Sequence, residues 1–308
     1  MKDKNLITII GATAIGKTDL SLKLAKHFNT EIISSDSRQF YKEMKIGTAV
    51  PSKRELEQVR HHFIQSRSIF EEYNVGAFEQ DAIKLLDQRF KEKDWLIMVG
   101  GSGLYVNAVT NGLDDFPMVD PKIREKLKSD MASQGIESLQ VKLLELDPLS
   151  HERIDLFNKQ RLIRALEICI GSGRPFSFYQ SLNKKERSFN TIKIGIDAER
   201  KIIYDRINQR VDQMIDKGLV EEARSLLAFK DLNALQTVGY KELFAYFEAK
   251  STLEEAVSEI KKNTRRFAKR QGTWFRKDPE IKWFDHKTDP EKIISYIETY
   301  PETSESKG

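Results

Sequence analysis

The side chains in this sequence best suited to chemistry are Lys17, Thr18, Asp36, Ser102, Arg206 and Arg210, and the chemistry they suit is that of phosphate. Lys17 and Thr18 close the run Gly11-Ala12-Thr13-Ala14-Ile15-Gly16-Lys17-Thr18, which fits G-x-x-x-x-G-K-[ST]. In that pattern the glycines let backbone N–H groups curl around phosphate oxygens, and the helix that follows points its positive end at them. Lys17 then suits a terminal phosphate and the Thr18 hydroxyl suits Mg²⁺. The flanks agree. Leu6 to Ile10 reads as a buried strand, and Leu20, Leu24 and Phe28 recur every four residues as on the inner face of a helix. A phosphorylated ligand is expected here; the run does not say which.

Asp36 follows the short strand Glu31 to Ser34 and sits between Ser35 and Ser37. It is the best candidate for a general base, and it equally suits a helix N-cap. Ser102 lies in Gly100-Gly101-Ser102-Gly103, where backbone approaches a ligand closely or simply turns. Arg206 and Arg210 lie one turn apart on a helix starting near Lys201, whose inner face is Ile203, Ile207, Val211 and Met214. They point either to water or into a phosphate cleft. A nucleotide hydrolase would carry an acid at the end of a second apolar strand. The strand Trp95 to Val99 ends in glycines instead, and Asp197 follows a strand that alternates like an edge. This weighs against hydrolysis.

Strands alternating with helices imply an α/β fold, a P-loop core with a parallel sheet flanked by helices. Ligands of such sheets bind outside the carboxyl ends of the strands, so the Gly11, Asp36 and Ser102 turns should converge on one cleft. The segment Asp114 to Pro121 breaks the alternation. Residues 116–188 read as an all-helical insertion, dividing the core into 1–115 and 189–300, with 301–308 a frayed tail. Asn183-Lys184-Lys185-Glu186-Arg187 reads as an exposed connection.

Composition excludes little. The net charge of +4 is a small surplus of 51 basic over 47 acidic residues, so any basic surface must be local. The single cysteine, Cys169, sits in an apolar helical context and reads as a core thiol. His61-His62 makes a poor metal site, because adjacent side chains diverge. No signal peptide or run of about 20 apolar residues is evident, so a soluble cytoplasmic protein is expected. The strongest charge cluster, Lys261 to Lys277, contains eight basic residues and no acid. Ile260, Phe267 and Trp274 recur there every seven residues, so one face should pack while Arg265, Lys269, Arg270 and the rest carry charge. That pattern suits an RNA backbone and its unstacked bases better than a membrane surface.

These motifs together resemble the tRNA dimethylallyltransferases, also called tRNA isopentenyltransferases, from Gly11 to about Arg276. The resemblance rests on the phosphate loop, Ser35 to Tyr41, Met44 to Ala49, His61-His62, Gly100 to Tyr105 and Arg161 to Glu167, then Arg210 to Met214, Val238 to Glu242 and Thr264 to Gln271. It implies transfer of a dimethylallyl group from dimethylallyl diphosphate to N6 of the adenosine 3′-adjacent to the tRNA anticodon, releasing pyrophosphate. It implies Asp36 as the base, with Lys17, Thr18 with Mg²⁺, and Arg210 on the pyrophosphate, and Ser102 orienting the base or the leaving group. It also implies tRNA contacts at Asp36, Ser37, Arg38, Gln39, Ser102, Arg124, Gln160, Arg161, Leu162, Ile163 and Arg164. The insertion would grip the anticodon stem-loop, with the target base flipped into a channel; neither a membrane nor an obligate protein partner is implied. The sequence departs from the family pattern at Ala12 (usually Pro), Ser102 (usually Thr) and Gln65 (often an acid), and matches the bacterial type without a zinc-finger extension. The rival readings are a small-molecule kinase, a prenyltransferase acting on free adenylates and a non-catalytic RNA-binding module.

Overall fold

Runs of β-branched and aliphatic residues make the four central strands, which are largely buried, while the two outer ones are the short and partly exposed His61–His62 and Lys282–Asp285. In the computed structural model, which describes residues 4–180 and 185–300, these six segments, named in chain order, are β1 (Asn5–Gly11), β2 (Ile32–Ser34), β3 (His61–His62), β4 (Trp95–Val99), β5 (Asn190–Asp197) and β6 (Lys282–Asp285). They make one parallel sheet in the order β3-β2-β4-β1-β5-β6. The connecting helices are α1 (Lys17–His27), α2 (Lys53–Gln58), α3 (Val75–Arg89) and α4 (Gly103–Asn111). After five further helices within residues 112–186 come α10 (Arg200–Asp216), α11 (Leu219–Ser225), α12 (Tyr240–Phe247), α13 (Leu253–Phe275) and α14 (Pro290–Glu298).

Alternation along β1 sorts the core into two layers. Ile7 and Ile9 pack with Leu24, Ile207 and Ile293 on one side of the sheet. Leu6 and Ile10 pack with Phe78, Leu86 and Val109 on the other. Truncating any of these β1 side chains to Ala would cost about 2–5 kcal/mol. A third cluster joins Tyr41 and Met44 to α11, α12 and the start of α13, around the fully buried Tyr240.

The chain divides into two compact units, Met1–Asn111 with Arg187–Gly308, and Gly112–Glu186. Among its described residues the second has helices and no strand: α5 (Pro121–Gln134), α6 (Ile136–Leu146), α7 (Pro148–Arg153), α8 (Lys159–Ser172) and α9 (Phe176–Tyr179). Leu127, Leu139, Leu143, Leu162, Ile163, Leu166 and Cys169 form its core. Burial pushes the Cys169 thiol pKa up, as befits a core thiol.

Three expectations are corrected. β5 lies between β1 and β6 and is not an edge; the Lys193 side chain that suggested one is buried, its ammonium held by Asp278 and Glu280 at 2.7 and 2.8 Å. Arg187 is not an exposed linker residue, because its guanidinium bonds Glu79 at 2.6 Å and the Ala108 carbonyl at 2.7 Å. The Phe267–Trp274 stripe is not the packed face of α13: both rings are well exposed, and that face is Ala256, Ile260, Ala268, Gln271 and Phe275. Of the expected connection, Asn183 and Lys184 lie outside the described residues, as does the tail 301–308.

Candidate active site

The phosphate loop leaves β1 through Gly11 and enters α1 through Gly16, with φ of 147° and 107°. Only glycine takes such angles cheaply, and a side chain at Gly11 would also abut the Ile196 carbonyl. Ala14 adopts φ 63°, completing the curl. Gly16 is the N-cap of α1 and supplies no side-chain hydrogen bond, so no capping side chain takes up the first N–H groups of the helix, the donors that a phosphate would use. Lys17 Nζ folds onto the loop, donating to the carbonyls of Gly11 and Ala12 at 3.1 and 2.8 Å. Burial pushes its pKa down to about 8; nearby Asp36 opposes that shift and Arg210 adds to it. Arg206 buttresses the loop from α10, Nη1 donating to the Ile15 carbonyl at 2.9 Å. Of the two arginines, Arg206 therefore braces the loop and Arg210 faces Asp36. Burial lowers the Arg210 pKa and the Asp36 carboxylate raises it.

Asp36 caps no helix, since none begins there. Its Oδ1 accepts the Arg38 N–H at 3.0 Å, an Asx turn that fixes the carboxylate beyond the end of β2. Ser37 then meets Ser102: its N–H donates to Ser102 Oγ at 3.3 Å and the two hydroxyls are 3.2 Å apart. The turns after β1, β2 and β4 thus meet, as the sheet rule requires. They line one cleft of about 1240 Å³ through Thr13, Asp36, Ser37, Gly101 and Ser102, with Arg210 opposite. The volume exceeds what one small molecule needs and suits a diphosphate ester together with a nucleoside.

The far wall comes from elements whose role the sequence did not disclose. Glu222 on α11 accepts the N–H groups of Ile46 and Gly47 at 2.8 and 2.9 Å and the Tyr240 hydroxyl at 2.7 Å. It thereby holds the 44–49 loop against α12. Gly47 is required there, because a side chain would overlap the Tyr240 ring. Phe267, Arg270 and Trp274 of α13 line the same cleft and give it a cationic, aromatic rim. Nothing in the sequence around Glu222 sets it apart from the chain's other acids; its partners Gly47 and Tyr240, within Met44 to Ala49 and Val238 to Glu242, are the only trace of it.

The remaining expected RNA contacts separate. Arg38 lines the cleft, with its guanidinium on the carbonyls of Asn233 and Ala234. Gln39 is turned inward, donating to the Thr48 and Ala49 carbonyls at 3.2 and 3.1 Å. Arg265 faces away from the cleft toward Asn208, at 2.7 Å, whereas Lys269 and Arg270 are exposed. In the helical unit, Gln160 and Arg161 are exposed at the start of α8. Arg124 forks onto Glu167 at 2.5 and 2.9 Å, and Arg164 bonds the same carboxylate. Leu162 and Ile163 are core residues, and their side chains are not available for contact. His62 Nε2 lies 2.6 Å from Glu31, whose carboxylate also accepts the Arg89 guanidinium, so the ring is taken up by a side-chain contact and not by a metal.

The family model described as IPP transferase matches residues 39–278. The chain is 61% identical over 294 residues to the tRNA dimethylallyltransferase of Christiangramia forsetii, covering 96% of this chain and 97% of that one. Among solved structures, the full-length tRNA isopentenylpyrophosphate transferase of Bacillus halodurans superposes with a TM-score of 0.69 at 40% identity, covering 96% of this chain and 94% of that chain. A eukaryotic dimethylallyltransferase captured acting on tRNA superposes with a TM-score of 0.79 at 26% identity, covering 97% and 80%.

Proposed function

From a chain that belongs to the tRNA dimethylallyltransferase family and transfers a dimethylallyl group to tRNA, we infer a specific reaction. The donor is dimethylallyl diphosphate, the acceptor is N6 of the adenosine 3′-adjacent to the anticodon, and pyrophosphate leaves. The observation that carries this reading is that Thr13 of the phosphate loop, Asp36, Ser102 and Arg210 line one cleft wide enough for both substrates, with Lys17 folded onto the same loop.

The phosphate loop, Lys17 and Arg210 hold the diphosphate, and their charge stabilises what develops on the leaving oxygen. The N6 lone pair attacks C1 of the allyl group while the C1–O bond breaks and its electron pair stays on pyrophosphate. Asp36 takes the N6 proton, leaving a neutral secondary amine. Ser102, tied to Ser37, is set to orient the adenine edge or the leaving group. The Thr18 hydroxyl at the start of α1 is a hard oxygen donor and fits Mg²⁺, provided that diphosphate oxygens and water complete the shell. No cluster of three acidic, His or Cys ligands exists among the described residues, so a metal held by the protein alone does not fit. Bound there, Mg²⁺ would supply charge neutralisation to the diphosphate.

The exposed polar residues Gln160 and Arg161 and the cationic rim at Arg270 suit the phosphates of a stem-loop. An adenosine already in a loop costs only a few kcal/mol to extrude. No helix among the described residues is long and apolar enough to cross a membrane. The test is transfer of label from dimethylallyl diphosphate with Mg²⁺, offering unmodified tRNA and AMP separately beside an ATP-hydrolysis control. Label in tRNA alone is expected; label in AMP alone, or ATP turnover without prenylation, would overturn the reading.

A further inference from the structure

We propose that Gln271 is a positioning residue for transfer, its buried amide locking the phosphate loop to the Ser102 turn so that leaving group and acceptor are held at one separation. The proposal rests on the active-site reading above and adds a residue to it. Gln271 Oε1 accepts the Thr13 N–H at 2.9 Å, and Nε2 donates to the Gly101 carbonyl at 2.8 Å. Thr13 offers only a backbone donor there and Gly101 only an acceptor, so the amide's orientation is dictated from both ends. The side chain is 6% exposed, at the floor of the cleft.

The site of this brace matters. Paired β1 and β4 stop at Ile9 and Val99, and the last backbone link between them is Gly100 N–H to the Ile9 carbonyl at 3.2 Å. Beyond that point Gln271 links the two loops, from a helix 258 and 170 residues away in sequence. Two glycines make room for it. A side chain at Gly101 would overlap the Gln271 amide nitrogen, and one at Gly103 would overlap the Trp274 indole one turn further along α13. The Ser102 turn in turn touches Ser37, next to Asp36. A continuous set of contacts therefore runs from diphosphate cradle to orienting hydroxyl to base, with Gln271 as the link that the sheet does not provide. In-line displacement needs its reacting atoms in near-attack register, and a misplacement of about 1 Å costs on the order of 10²-fold in rate.

The experiment compares Gln271→Ala, Gln271→Glu, Gly101→Ala and the Gln271→Ala/Gly101→Ala double variant in single-turnover transfer to tRNA. Tightness of tRNA binding, thermal melting and release of dimethylallyl alcohol are followed in parallel. Gln271→Glu keeps the acceptor for Thr13 and loses the donor for Gly101. Each single variant is expected to slow transfer roughly 30–100-fold, with the Kd for tRNA and the KM for the donor within about threefold. Water should capture C1 of the loosened donor more often, its oxygen forming the new bond as C1–O breaks and its proton passing to solvent. The ratio of alcohol to prenylated tRNA therefore rises, a change that mere loss of folded protein would not produce. In the double variant the Gly101 methyl occupies the space left by the amide, so it should be no slower than Gln271→Ala. Transfer by the folded Gln271 variants within threefold of wild type, or single effects that multiply, would overturn the proposal. Should Gln271→Ala fail to fold, Gln271→Glu and Gly101→Ala decide on the same criteria. Wild-type protein that labels no tRNA would overturn the active-site reading and this proposal with it.

Discussion

Replacing Asp36 with asparagine separates proton acceptance from everything else the residue does. Asparagine retains an Oδ1 for the Arg38 N–H, bonded at 3.0 Å, and the backbone N–H still meets the Ser34 hydroxyl at 3.3 Å. The turn, and with it the Ser37–Ser102 contact, should survive. What is lost is the carboxylate beside Lys17 and Arg210, which in the proposed reaction takes the N6 proton. Loss of a positioned general base costs roughly 10²–10⁴ in rate, which is about 3–5 kcal/mol at 1.36 kcal/mol per tenfold. Single-turnover transfer from labelled donor should fall by that factor, while the Kd for tRNA stays within about threefold. A second effect follows from the same geometry. Asp36 opposes the burial that lowers the Lys17 pKa, so the variant's donor binding should fail at lower pH than the wild type's. Transfer within tenfold of wild type, or equal losses of transfer and tRNA binding, would refute the assignment.

Burial holds the Lys17 pKa at about 8, below its ordinary 10.5. If Lys17 holds the diphosphate as proposed, the free enzyme loses that charge as pH rises through 8 and kcat/KM for the donor should fall there; in Lys17→Arg that alkaline limb should disappear. Between about pH 8 and 10.5 the native protein binds fewer protons at this site than the unfolded chain, so urea titrations should show its contribution to stability rising with pH across that window. Lys269→Ala with Arg270→Ala should weaken tRNA binding and reduce its log–log salt slope by about 0.7–0.9 per lost phosphate contact, as filter binding would reveal; an unchanged slope would remove both from the RNA surface. Glu222→Ala strands the Ile46 and Gly47 N–H groups and the buried Tyr240 hydroxyl, and should cost roughly 2–4 kcal/mol in denaturant unfolding.

The sequence was most legible where one local signal decides the structure. β1 and β4 are uninterrupted aliphatic runs, and the phosphate loop advertises itself through glycines at positions that take positive φ. β5 misled because Lys193 interrupts its apolar run, and the acids that neutralise it, Asp278 and Glu280, lie more than eighty residues on. β3 is two residues long and leaves no periodicity to read. On α13 the large aromatics suggested a packed stripe, whereas the buried face is built from two alanines, Ile260, Gln271 and Phe275. Small and polar residues carry little pattern, so the face that locks the site together was the harder one to see. Leu162 and Ile163 show the converse: the resemblance implies the whole stretch Gln160 to Arg164 as contacts, yet these two side chains follow the exposed Gln160 and Arg161 into the core of the helical unit. The Glu222 clamp was illegible because it depends on three segments meeting in space.

The central claim is that this cleft prenylates one particular nitrogen. After reaction of unmodified tRNA with dimethylallyl diphosphate and Mg²⁺, nuclease digestion and tandem mass spectrometry of the fragments locate the new group. The account predicts a single dimethylallyl group on N6 of the adenosine 3′-adjacent to the anticodon, and none on a transcript carrying guanosine there. Prenylation at another nucleotide, or retained on the guanosine transcript, would contradict it.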